Sequence, residues 1–171
     1  MTKPRQTGWS IGLMLIILAA WTVPGATLDI PLNGKSWALW GTARETSRLG
    51  REQTVARENY CPTGGCVIRL DRVSVKPPRA RAGENLLLTT SYTLLTPEKI
   101  AIPVTITREI FFQGKSLGRT KSTDTRTLNG SFDQEINFQL PANAAPGTYS
   151  LMTTVSSGFG QSQKSAEFQV E

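Results

Sequence analysis

Carboxylates are the first residues in this chain that could do chemistry. Asp133 and Glu135 stand two apart in an alternating stretch, which puts them on one strand face about 7 Å apart. Carboxylates so spaced can serve glycoside hydrolysis. Phe132, Ile136 and Phe138 take the opposite parity, so the pair falls on the outer, solvated face. None of the 171 residues is a histidine, which removes Ser-His-Asp and Cys-His catalysis, His-ligated zinc or haem, and histidine pH switching. Phosphate loops, dinucleotide fingerprints, nucleophile elbows and acid-rich calcium loops have no match. The sequence predicts no catalytic residue, no metal site and no cofactor.

Two cysteines are too few for a four-thiolate metal cluster. In Cys61-Pro-Thr-Gly-Gly-Cys66 they are separated by four residues, with Gly64 and Gly65 to allow a tight reversal. Redox motifs want Cys-x-x-Cys at a helix start, so a structural disulfide is expected, worth about 2 kcal/mol for so short a loop. Such a bridge needs an oxidising compartment.

The N-terminus supplies one. Lys3 and Arg5 precede an apolar run of 13 residues from Ile11 to Val23, followed by Pro24-Gly25-Ala26. A basic start, an apolar run and a small-residue exit form a secretory signal pattern. Trp9 and Trp21 bracket the run as interfacial aromatics do in a retained anchor. Residues 1–26 are therefore expected as a signal peptide or a signal-anchor helix, with contact to a membrane through residues 9–23 if the segment stays. Either way residues from about 27 onward face outside, in the periplasm or at the cell surface.

The chain carries +6 overall, with its outer charges interspersed. No basic stripe with stacking aromatics accompanies them, so nucleic acid is not an expected partner. Residues 27–66 read as a polar linker or stalk ending in the cysteine loop. Within it Thr42 to Glu45 fits a capping box, and Arg44 to Glu58 offers mixed charges at helical spacing, either as a stalk helix or as an unstructured spacer. Trp37, Leu39 and Trp40 are apolar enough to pack on a partner, on the domain or at a membrane.

From residue 67 the period becomes two. Ile68 and Leu70 share a face, and the parity changes near Asp71-Arg72, where a β-bulge is expected. Val73 and Val75 follow, then Leu86 to Leu94, then Ile100 to Phe112 interrupted only by Arg108. Arg108 is expected to snorkel out at the sheet margin or to pair with a carboxylate at one end. Gln113 to Ser116 reads as a turn, and Asn129-Gly130 as a two-residue hairpin turn, which also accounts for the glycosylation match at Asn129-Gly-Ser131. Seven or eight strands with one apolar face each, and no helix to cover them, argue for an aligned two-sheet sandwich; a closed barrel is the other solution.

Leu140-Pro-Ala-Asn-Ala-Ala-Pro-Gly-Thr-Tyr-Ser-Leu151, followed by the alternating Ala166-Glu-Phe-Gln-Val170, resembles the closing strands of bacterial extracytoplasmic immunoglobulin-like and fibronectin-III-like domains. The resemblance covers residues 67–171. It implies an all-β, seven- to eight-stranded immunoglobulin-like β-sandwich and places Tyr149 at a tyrosine corner. The strand cysteines and core tryptophan of antibody domains are missing.

The expected function is that of a non-enzymatic module acting by protein–protein contact in a cell-envelope or extracellular assembly. The alternative is an exported inhibitor or ligand-binding module working through its loops. Candidate contact residues are Phe111, Phe112, Lys115 and Leu117 in one hairpin, and Phe159 between two glycines in another.

Overall fold

The computed structural model describes residues 30–31, 37–60 and 65–171, with backbone alone at 30–31 and 119–126. Two sheets face each other. The first is built from β4 (Val67–Lys76), β6 (Asn85–Leu95) and β9 (Gly130–Gln139), all antiparallel. The second runs β8 (Lys115–Thr127), β7 (Ile102–Phe112), β10 (Gly147–Ser157) and β11 (Gly160–Val170). Short strands extend both: β1 (Ile30–Pro31) on β8, β5 (Arg79–Ala80) on β11, and β2 (Leu39–Trp40) with β3 (Arg44–Leu49) on β9. This is a two-layer β architecture, as the period-two pattern predicts. The expected bulge is present, as a register shift between Leu70 and Arg72.

Inward residues make two apolar clusters. One holds Leu88, Ile110, Ile136, Phe138, Tyr149, Leu151 and Phe168, and the other holds Leu70, Tyr92, Val104, Ile106, Phe132 and Val155. Four buried polar side chains separate them at one level: Thr90, Arg108, Gln134 and Thr153. Thr90 pairs with Gln134 in the first sheet, and Arg108 with Thr153 in the second. Arg108 Nη2 donates across the gap to Gln134 Oε1. Arg108 therefore neither snorkels nor lies at the margin; it is 0% exposed. A guanidinium cannot shed its proton, so this charge is tolerated only where the facing sheet supplies an acceptor.

Two further expectations change. Residues 39–58 are not a stalk. They pair with β9 as β2 and β3, then form α1 (Arg51–Glu58), which starts at Gly50 rather than at Thr42. Trp37 stacks on Tyr149 and Trp40 on Phe138, so this edge packs on the domain itself. Nor is Asn129-Gly130 a hairpin turn, because β8 and β9 lie in different sheets. Asn129 instead accepts hydrogen bonds from Thr96 N and Oγ1 and donates to the Thr96 and Glu98 carbonyls. Glycine is required next because a Cβ at residue 130 would stand 2.8 Å from the Leu49 carbonyl oxygen. The primed turn falls at Gln113-Gly114, both with positive φ.

Replacing Gln134 by leucine should cost about 3 kcal/mol, because the buried guanidinium loses its cross-sheet acceptor. A double Arg108→Met, Gln134→Leu variant should recover most of that loss. Urea denaturation of the three proteins measures both effects; equal stability of Gln134→Leu and wild type would contradict the role given to the bond.

Candidate functional site

A network of charge on the outer face of the first sheet ties β3 and α1 to β4 and β9. Arg48 reaches Asp71 (2.5 Å) and Asp133 (3.1 Å). Arg69 binds Asp71 at 2.9 Å and grips Glu58 with two nitrogens at 2.7 and 3.0 Å, the two-pronged geometry that favours arginine. Arg57 donates to Thr93 and Ser131 at 3.1 and 2.8 Å. Within α1 the buried side chain is Thr54, so polar contacts carry the docking of this helix. Its link to the bulge runs through Arg69, which holds both Glu58 of the helix and Asp71 at the register shift.

Hydrogen bonds and charge from Arg69, with help from Arg57, hold the Glu58 carboxyl below its ordinary pKa against the opposing effect of burial. Burial pushes Asp71 upward, but bonds from Arg69, Thr93 and Arg48 outweigh it and leave Asp71 lowered. For a carboxylate lowered by folding, the stabilisation is complete above its unfolded pKa, near 4, and is lost as pH falls through the folded value. Acidification from pH 6 to pH 3 should therefore lower the amide protection factors, taken relative to the intrinsic exchange rate at each pH, in α1 well before it does in β10. Parallel loss of protection in both elements would contradict this.

At the end of the sandwich where α1 begins, a groove of about 490 Å³ opens. Glu45 and Ser47 line it from β3, and Gly50 and Arg51 from the start of the helix. Lys99 comes from the β6–β7 connection, Thr127 from the end of β8, Leu128 and Asn129 from the β8–β9 connection, and Phe132 from β9. Both oxygens of Glu45 are engaged: Tyr92 Oη donates to one at 2.6 Å and Thr127 Oγ1 to the other at 3.2 Å. Leu128 is 58% exposed, and Ile100, beside Lys99, is 63% exposed. The β10–β11 turn ends at this same end, because Ser157 pairs with Gly160 and with Val104 near the start of β7. It presents Phe159 at 43% exposure.

The expected contact residues are thus divided. Phe112 stacks on Tyr149 at 4.5 Å, and both Phe112 and Leu117 pack on the core. Phe112 faces inward with the even-numbered row of β7, and the register shift opposite Ile110 and Phe111 leaves the odd-numbered Leu117 against the same core. Phe111 is half-buried and Lys115 exposed, at the end opposite Phe159. Tyr149 is buried and donates its hydroxyl to the Ala145 carbonyl at 2.7 Å; burial raises its pKa. Asp133 is tied to Ser91 and Arg48, while Glu135 is exposed, so the two carboxylates do not act as a pair. Cys66 is exposed; Cys61 lies outside the described residues, and with it the expected bridge. The segment 1–26 also lies outside them. Among the described residues no helix is long and apolar enough to cross a membrane, and no group of three or more His, Cys, Asp or Glu could hold a metal ion.

The sequence did not single out the groove. Its only signals were Leu128 and Lys99, each isolated in a connection between strands.

No family model and no curated protein matches this chain. Among solved structures, the alkylpurine DNA glycosylase AlkC of Pseudomonas fluorescens aligns over 61% of the chain at 13% identity and a TM-score of 0.44. A cycloisomaltooligosaccharide glucanotransferase of Paenibacillus sp. aligns over 61% at 15% identity and a TM-score of 0.48. The chain covers 30% and 14% of those two proteins. The CARDB domain of the PF1109 protein of Pyrococcus furiosus aligns over 60% of this chain and 89% of its own length, at 13% identity and a TM-score of 0.38. It is a β-sandwich neighbour at low identity.

Proposed function

We propose that the chain is an exported immunoglobulin-like module that works by protein–protein contact in a cell-envelope or extracellular assembly and performs no chemistry of its own. Strand order supports the immunoglobulin-like part. With β4, β6, β7, β8, β9, β10 and β11 lettered A, B, C, C′, E, F and G, the sheets are A-B-E and C′-C-F-G. The Tyr149 hydroxyl on Ala145 has the geometry of a tyrosine corner at strand F. Export is supported by the basic and apolar N-terminal pattern, with the outcome of removal or retention left to the signal itself.

Phe159 carries the contact reading. A two-residue turn holds this aromatic ring at the tip of a hairpin paired along its whole length, and the Phe159 amide donates to Ser157 Oγ at 3.0 Å. A large apolar side chain on a rigid tip loses little freedom when a partner covers it, and aromatic anchors dominate interface energetics.

Phe159→Ala should leave folding stability within about 0.5 kcal/mol of wild type and weaken partner capture from a cross-linked envelope preparation by more than tenfold. Capture unchanged by the substitution would overturn Phe159 as the anchor.

A further inference from the structure

We propose that the groove between β3, the start of α1 and the β8–β9 connection is a binding site for a small anionic amphiphile, a short apolar chain ending in a carboxylate. It goes beyond partner contact, since Phe159 does not line it. The volume of about 490 Å³ lies in the range of about 300–1,000 Å³ usual for small-molecule sites.

The lining chemistry selects the ligand. Phe132 forms an apolar floor, and Leu128 stands 58% exposed at its edge. An exposed leucine next to a concave apolar surface gains by being covered. Arg51 and Lys99 bring two positive charges to the rim from separate elements. Glu45 is the one carboxylate lining the groove, and its oxygens are turned to Tyr92 and Thr127. Two cations against one engaged carboxylate leave the rim positive, so it favours an anionic head over a cationic one.

Isothermal calorimetry of sodium octanoate titrated into the full chain tests the site, with octyltrimethylammonium as the control of opposite charge. Saturable one-to-one binding of octanoate, with the cationic analogue at least tenfold weaker, is expected. An Arg51→Ala, Lys99→Ala variant should lose about tenfold in octanoate affinity, and Leu128→Asp should abolish binding. Circular dichroism should show both variants folded, and Phe159→Ala should bind octanoate as wild type does. Absence of saturable octanoate binding, equal binding of the two amphiphiles, or unchanged affinity in the double variant would each overturn the site. A loss of partner capture by Phe159→Ala with octanoate binding intact separates the two functions.

Discussion

A positive charge with no exposure to water lies at the middle of this sandwich, and the rest of the packing is arranged around it. Arg108 can stay ionised there only with acceptors at hand, and Gln134 brings one from the facing sheet. That bond has a single register. Slipping β7 or β9 by one residue against its neighbouring strands would turn Arg108 or Gln134 outward and bring apolar partners against the remaining polar group. Such a buried polar contact adds little net stability compared with a well-packed apolar pair, and its value lies in selecting one alignment of the sheets. The two apolar clusters above and below it supply the bulk of the hydrophobic stabilisation.

The ends of the sandwich inherit different characters from this arrangement. Around Tyr149, stacked rings of Trp37, Phe112 and Phe168 close one end. The other end is left with exposed Ile100, Leu128 and Phe159 and with the groove beneath α1. On the outer face of the first sheet, charge rather than apolar contact fastens α1.

Much of the fold was legible because burial on one side of a strand leaves a period of two. The bulge at Asp71, the strands β4, β6, β7 and β9 to β11, and the inward rows could be read from that signal. The polar rung was visible too, as one break in each inward row, at Thr90, Arg108, Gln134 and Thr153. Only Arg108 drew notice, because a threonine or glutamine on a strand carries no charge to explain. β3 escaped because both its faces meet polar groups: Arg48 bonds to carboxylates outside, and Glu45 to hydroxyls within. Such a strand has no apolar alternation, and its charges imitate helical spacing. Asn129-Gly130 misled for a related reason. The dipeptide satisfies a local turn rule, but whether the chain turns back within one sheet or crosses to the other is decided by contacts from Thr96 and Leu49, far away in sequence. The groove draws on three separate stretches of sequence and left almost no linear trace.

The side-chain N–H signals of Arg108 in nitrogen-15 nuclear magnetic resonance spectra test the central constraint most directly. A guanidinium sealed between the sheets and bonded to Gln134 should show slow exchange with water and a through-space contact to the Gln134 amide protons. Guanidinium protons at residue 108 exchanging as fast as those of exposed arginines would contradict the account.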